Sequence, residues 1–286
     1  MGAIKREGIM LCSPFSIKRF ESWGSTAILQ PKLNGERCRI IWDQEGNVSL
    51  RSSYDNEIVS VPHIKKQLHN LYVNYELDGE LYKHGFSLPK IQSIVSRTVN
   101  LHPEHEVMEL HIFDSISGSN QLQRLQRLRK RELLIYNNTD IIKLVPYKHI
   151  DKLSDIDDFL KARMDEGYEG IVIRKVDGVY QRNLHSTQIM KLKPRKDDHY
   201  IIIGVKEETD KYGNPKNSLG SFACKAHDVD EVFYVGTGRI LTAEGRRKYW
   251  DNPPIGKILH IKYQELTPYG IPYGAVAFNI LEVDNA

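Results

Sequence analysis

The stretch Lys193-Pro-Arg-Lys-Asp-Asp198 divides this chain into two unlike parts, and the shorter, C-terminal part has little choice of architecture. Charge and a proline packed into one short stretch suit a linker. Beyond it, short alternating segments at 199–207, 219–225, 231–235, 257–264 and 277–283 read as strands, with a helix at 242–250 before the fourth. Five strands and one helix in about 90 residues are what a small five-stranded barrel of the OB type needs. The pattern predicts two domains, 1–195 and 196–286.

The first part reads as a mixture of strands and helices after a short lead-in over 1–25. Residues 26–52 alternate strand, turn, strand, turn, strand, with the turns at Asn34-Gly35 and Gln44-Glu-Gly-Asn47. Asn-Gly is a strong hairpin signal because both residues tolerate positive φ, so the segments on either side are expected to form a hairpin. Lys32 precedes that turn and would point from the hairpin into whatever cavity the sheet covers. Taken alone, it reads as a surface lysine on a tight turn. Helices are expected at 62–72, 88–99, 120–135 and 154–164, and strands at 74–82, 106–116, 141–145, 170–175 and 188–193. The fold class is α+β.

Composition narrows the setting. The chain has 286 residues, 40% hydrophobic and 27% charged, which supports a sizeable core. A net charge of +3 gives no global argument for a polyanion partner, so basic residues must be judged by where they cluster. Cys12, Cys38 and Cys224 have no metal spacing and suit a reducing compartment. No signal-peptide layout is present, and no run approaches the ~20 apolar residues of a membrane span. The expectation is an intracellular, cytoplasmic protein.

Strand parity makes the charged residues informative. Asp78 and Glu80 lie two apart and share a strand face; Lys191 and Lys193 do the same. Glu169 is expected to share a face with Ile171 and Ile173, with Gly170 allowing close approach to the backbone. Each alone reads as a charge on an edge strand facing solvent. Together with Lys32 they suggest one pocket, with a metal held by carboxylates and phosphates held by lysines. No G-x-x-x-x-G-K-[ST] is present, and Gly236-Thr-Gly238 does not continue as G-x-G-x-x-G. His102 and His105 lack a second ligand pair and read as loop residues. The sequon Asn137-Asn-Thr139 carries no weight in an intracellular chain.

These elements, in this order, resemble the nucleotidyltransferase motifs of ATP-dependent DNA ligases. Lys32-Leu-Asn-Gly-Glu-Arg37 resembles motif I, Leu77-Asp-Gly-Glu80-Leu motif III and His111-Ile-Phe113-Asp114 motif IIIa. Glu169-Gly-Ile-Val-Ile-Arg174 resembles motif IV, and Met190-Lys191-Leu-Lys193-Pro motif V. In the second part, Leu219-Gly-Ser-Phe, Val235-Gly-Thr-Gly238 and the segment from Ile261 to Pro272 are similar to a ligase OB domain. The match spans residues 27 to 280. The implied fold is an adenylation domain of antiparallel sheets with flanking helices, followed by an OB-fold barrel.

The resemblance also implies roles. Lys32 would attack the α-phosphate of ATP and hold AMP as a phosphoramidate. A free lysine titrates near 10.4, so reaction near neutrality needs that value lowered by about 2–3 units. Arg37, Lys191, Lys193 and Mg²⁺ are the candidates for doing so. Glu80 and Glu169 would bind metal or orient the ribose, and Phe113 would stack on adenine, though its ring also reads as a core aromatic. Lys191 and Lys193 would contact the phosphates, and Gln30 would sit near the adenine edge. Arg51 and Ser52 match motif Ia loosely and would contact DNA or ribose. AMP then passes to the 5′-phosphate of nicked duplex DNA and is displaced by the 3′-hydroxyl, chemistry that belongs to repair and replication.

Two departures stand out. Asn34 occupies the position where DNA ligases usually carry aspartate, and the C-terminus, Phe278-Asn-Ile-Leu-Glu-Val-Asp284, lacks the basic motif VI. Lys225 and Arg239 are alternative cations for self-adenylation. The basic run from Gln121 to Arg131 reads either as a grip on DNA phosphates or as an amphipathic surface helix, with leucines at 122, 125 and 128. A compact, monomeric ligase of phage, viral or bacterial type is implied. An RNA ligase or capping-type guanylyltransferase, and a non-catalytic nucleic-acid-binding relative, are the alternatives.

Overall fold

The computed structural model describes residues 6–69, 73, 75–130, 140–263, 265–267 and 269–282. The chain separates into two units, Met1–Leu192 and Lys193–Ala286. The first begins with β1 (Leu11–Pro14), α1 (Ile17–Ser22), β2 (Ala27–Lys32), β3 (Glu36–Trp42), β4 (Val48–Arg51) and α2 (Pro62–Leu68). It continues with β5 (Glu76–Tyr82), α3 (Leu88–Val95), β6 (Glu109–Ile116), α4 (Gln121–Lys130), β7 (Ile142–Leu144) and β8 (Lys148–Ile150). It closes with α5 (Ser154–Asp165), β9 (Gly170–Arg174) and β10 (His185–Leu192).

Two five-stranded sheets result, one in the order β1-β10-β9-β2-β8 and the other β4-β3-β5-β6-β7. Neighbours are antiparallel except the pairs β1–β10 and β6–β7. Period-2 alternation decides which side chains enter the cores. In the first sheet Leu29, Ile171, Ile173 and Met190 are buried with Phe20 of α1 and Ile156 of α5. In the second, Cys38, Ile40, Leu77, Leu81, Leu110 and Ile112 are buried with Ile64 and Leu68 of α2 and Ile91 and Ile94 of α3. Residues of the opposite parity, Gln30 and Lys32 on β2, Arg37 on β3 and Glu80 on β5, line a cavity between the sheets.

The turn at Asn34-Gly35 does not make a hairpin. β2 belongs to one sheet and β3 to the other, and neither Asn34 nor Gly35 has a positive φ. Glycine is required there by crowding instead. A Cβ on Gly35 would lie 2.3 Å from the Leu81 carbonyl oxygen and 2.8 Å from Glu80 Cγ. A Gly35→Ala variant is therefore expected to lose at least about 1–3 kcal/mol, read as a lower urea midpoint, because backbone must move to admit the methyl.

Part of the charge of the basic helix is committed within its own unit. Within α4, Leu125, Leu128 and Arg124 are buried. Arg127 donates to the Ser117 and Ser119 hydroxyls at 3.1 and 3.0 Å and lies over the Tyr75 ring, while Arg129 lies over Tyr147. Arg124 and Arg127 hold the helix to its own unit, while Arg129 and Lys130 remain exposed at its C-terminal end. The expected continuation of the helix to 135 and the sequon at 137–139 lie outside the described residues, as do 70–72 of the helix expected over 62–72.

The second unit contains β11 (Lys196–Thr209), β12 (Pro215–Lys225), β13 (Val232–Val235), α6 (Ala243–Asp251), β14 (Ile258–Tyr263), β15 (Glu265–Leu266), β16 (Pro272–Tyr273) and β17 (Val276–Leu281). Its main sheet runs β13-β12-β11-β14-β17. Past β13, Gly238 bridges to Ala277 of β17, and the Ala277 amide donates to the Thr237 carbonyl at 2.8 Å. The two edges of the sheet thus meet and the barrel closes. Gly238 permits this: with φ at 147°, its absent Cβ would fall 2.1 Å from the Ala277 oxygen. Arg246 of α6 donates to the carbonyls of Leu219, Gly220 and Gly236 at 2.6, 3.0 and 2.7 Å, fastening the helix to the barrel. Half of the expected linker is strand. Lys196, Asp197 and Asp198 pair with Tyr263, Lys262 and Ile261, and Asp197 forms ion pairs with His260 and Lys262.

Candidate active site

The cavity between the sheets has a volume of about 70 Å³ and is lined chiefly by Gln30, Lys32, Arg37, Glu80, Phe113 and Arg174, with Cys12, Val172 and Ile189. Lys32 ends β2, opposite Gly170 of β9. Its ammonium donates to the Glu169 carboxylate and, at 3.3 Å, to the Leu33 carbonyl. The side chain is 22% exposed, so this ion pair sits at the mouth of the cavity and not in bulk water. Burial lowers the Lys32 pKa from the ordinary lysine value; Glu80 and Cys12 oppose that shift and Arg37 adds to it.

Glu169 reaches Lys32 by breaking the expected parity. Ile171 and Ile173 turn into the core behind the sheet, whereas Glu169 turns to the cavity mouth. Gly170 has φ at 152°, which a residue with a Cβ rarely adopts, and this twist releases Glu169 from the pleat of β9.

The opposite wall is built on β3, β5 and β6. Arg37 and Glu80 are direct partners across β3–β5, and Asp78 is one pleat away on the same face. Arg37 Nε and Nη2 donate to the two Asp78 oxygens at 2.6 and 2.5 Å, and Tyr180 donates to the same carboxylate at 2.5 Å. Glu80 has no such clamp. Burial pushes its pKa up to about 7, with Lys32 and Arg37 pulling the other way. Two strand carboxylates are therefore differentiated: Asp78 positions an arginine, and Glu80 is available to a ligand.

Phe113 shares the strand face of His111 and sits in a bulge: Asp78 pairs with Asp114 and Gly79 with Ile112, which leaves Phe113 as the extra residue on β6 and turns Asp114 to the face of Asp78. It is 9% exposed, with the Arg37 and Arg174 guanidinium carbons 4.7 and 5.3 Å from its ring centroid. Gln30 is pinned at both ends of its amide. Its nitrogen donates to the Phe113 carbonyl at 3.1 Å and its oxygen accepts from Arg174 Nε at 2.7 Å.

The remaining expected residues lie further out. Lys191 is exposed on β10, in the cross-strand row Gln30–Val172–Lys191. Lys193 lies in the second unit. Arg51 ends β4, where it donates to the Asp55 carbonyl, and the Ser52 hydroxyl accepts from the amides of Tyr54 and Asn56; neither lines the cavity. Among the described residues no group of three acidic, histidine or cysteine side chains forms a ready-made metal cage.

Sequence reasoning gave no role to Asp114 and Arg174 and read Arg124 only as part of the basic run; the three form a buried network under the cavity. Asp114 accepts from Arg124 Nε at 2.8 Å and from Arg174 Nη1 at 2.9 Å, and Gln121 accepts from Arg124 at 2.7 Å. The available signal was charge on interior strands, since a carboxylate and an arginine within apolar runs need buried partners.

A family model for the ATP dependent DNA ligase domain matches residues 9–193, and one for the DNA ligase OB-like domain matches residues 212–280. A DNA ligase of African swine fever virus (isolate Tick/South Africa/Pretoriuskop Pr4/1996) is 28% identical over 302 residues, covering 96% of this chain and 70% of the relative. A DNA ligase of Haemophilus influenzae is 29% identical over 201 residues, covering 69% of each. Among solved structures, a Lig E DNA ligase superposes with TM-score 0.74 at 20% identity over 96% of this chain and 99% of the other. The ATP-dependent DNA ligase of bacteriophage T7, in complex with ATP, gives 0.57 at 15% identity over 98% and 99%. At those identities the structures speak to the fold, and the family models, covering both parts of the sequence, speak to ancestry. The chain belongs to the ATP-dependent DNA ligase family.

Proposed function

We propose that Lys32 is the residue through which this ligase carries AMP, and that the cavity beside it is the adenosine pocket. The observation that carries this reading is an ammonium of lowered pKa held at the cavity mouth by Glu169, across from Glu80. Lys32 Nζ attacks the α-phosphorus of ATP; an N–P bond forms, the P–O bond to pyrophosphate breaks, and the amine sheds its protons. A 5′-phosphate oxygen of a nick then displaces the lysine. Finally the 3′-hydroxyl attacks the activated phosphate, and AMP leaves. Each step is a phosphoryl-type transfer, in which positioning and neutralisation of charge do most of the work.

Gln30, Arg37 and Phe113 hold the nucleoside end, with Phe113 stacking on adenine. Lys191 and Lys193 neutralise phosphate charge, and Arg51 and Ser52 touch the DNA. Glu80 and Glu169 suit Mg²⁺, which is commonly held by one or two carboxylates plus substrate phosphates and would offset phosphate charge there. The adenylation domain is placed at 1–195 and the OB domain at 196–286, three residues beyond the division of the two units after Leu192, and the ligase acts as a monomer on nicked duplex DNA. No helix among the described residues is long and apolar enough to cross a membrane.

The test is sealing of a labelled nick. DNA-only nicks are expected to be sealed with ATP and Mg²⁺ at least as well as nicks flanked by ribonucleotides. Sealing of ribonucleotide-containing nicks alone, or labelling by GTP instead of ATP, would move the protein to the RNA-joining or capping branch.

A pH profile checks the two shifted groups. Label transfer from ATP should rise with pH as Lys32 loses its proton, with a midpoint below the ~10.4 of free lysine. A second inflection is expected near 7, where Glu80 loses its proton and becomes a carboxylate able to bind metal. In Glu80→Gln that inflection should vanish. Its persistence would assign it to another group.

A further inference from the structure

The polar face of the second sheet does not stop at the cavity. One cross-strand row continues from Arg37 on β3 through Glu80 on β5 and His111 on β6 to Lys143 on β7. Adjacent strands are roughly 4.8 Å apart, so Lys143 is rooted two strand spacings from Glu80. One pleat along, Glu109 of the same face accepts from Lys143 at 2.9 Å, from Lys83 at 2.8 Å and is 2.9 Å from His111 Nε2. Burial would raise the Glu109 pKa, but the contacts with Lys83, Lys143 and His111 outweigh it and bring the group down to about 2. Glu109 is thus a fixed anion, and it answers only one of two lysine charges. Both ammoniums remain part-exposed, at 36% and 40%, and each has donors to spare beyond the bond to Glu109.

We propose that Lys83 and Lys143, braced on Glu109, form a phosphate subsite that extends the cavity and serves the chemistry at Lys32. It rests on the reading of Lys32 as the nucleophile. A site that offers two tethered ammoniums and one buried counter-charge carries a surplus positive charge, and the reaction next to it handles only phosphates. The phosphate can come from two sources, the β,γ-phosphates of ATP or a phosphodiester of the nicked strand.

The experiment uses the full chain and takes the substrates separately. Label transfer from ATP reads the first source, and sealing by chain already carrying AMP, at varied nicked-duplex concentration, reads the second. Lys83→Gln combined with Lys143→Gln is expected to raise the KM for one substrate by about tenfold or more, well beyond any change in kcat. A rise for ATP assigns the subsite to its tail, and a rise for the nick assigns it to DNA. The paired arginine variants should restore the KM. Glu109→Gln, which frees both ammoniums, should lower it. Two unchanged KM values in the paired glutamine variant would overturn the subsite and leave a structural ion-pair cluster. Labelling that survives in Lys32→Ala would instead overturn the reading beneath it.

Discussion

Lys32→Ala is expected to abolish covalent labelling from α-labelled ATP, a loss on the order of 10⁵-fold or more, because a group that forms the reaction's covalent bond has no substitute in the cavity. The polar side chains that line the cavity beside it are two guanidiniums, a glutamine, a carboxylate and the Cys12 thiol. None is an amine able to replace it. Lys32→Arg should fail as completely, since a guanidinium with a pKa above about 12 does not present a lone pair near neutrality. Both variants should still seal a nick whose 5′ end already carries AMP, because Lys32 has discharged its role before the 3′-hydroxyl attacks. That residual activity separates a lost nucleophile from a lost fold. Labelling of Lys32→Ala at more than a few per cent of the parent rate would point to a different lysine, and mass spectrometry of the adenylated peptide would identify it.

The site was legible in the sequence wherever a strand obeyed its period. Asp78 and Glu80 do share a face, and Lys32 does end a strand. Reasoning by parity failed at one irregularity. Gly170 takes a φ of 152° and swings Glu169 out of register with Ile171 and Ile173. That does not follow from a local rule, because a twisted glycine is stabilised by the partner strands it meets.

Asn34-Gly35 shows the same limit differently. The residue pair marks a sharp turn, but whether the flanking strands pair with each other depends on where Leu81 and the other strands of each sheet lie, far along the chain. The basic helix is the third case. Its leucine spacing was readable, with Leu125 and Leu128 buried as the pattern requires, yet nothing within 121–131 says that Arg124 is fully buried against Asp114. Charge count on a helix does not distinguish a solvated stripe from a buried partner for a distant strand.

That buried partner is where the largest stability effect is expected. Asp114 has no exposed surface and pairs with two guanidiniums, Arg124 at 0% exposure and Arg174 at 3%. Removing one member of such a set strands the others without counter-charge in a poorly solvated interior, a change that typically costs about 3–5 kcal/mol. Since a domain's whole stability is roughly 5–15 kcal/mol, Asp114→Ala should bring the first unit close to unfolding at ambient temperature. Urea or thermal denaturation reads this directly. Asp114→Asn keeps the shape and an acceptor oxygen, so it should cost less and leave protein to assay. In that variant the consequence should reach the nucleotide. Arg174 fixes the Gln30 amide and lies beside the Phe113 ring, so a loosened Arg174 is expected to raise KM for ATP before it lowers the rate of the later sealing steps. Combining Asp114→Ala with Arg124→Met should cost less than the two single changes added together, because the methionine removes one of the charges that the first substitution leaves unpaired. Full additivity would mean that the two residues are not coupled, and an Asp114→Ala cost below about 1 kcal/mol would mean that water reaches the network after all.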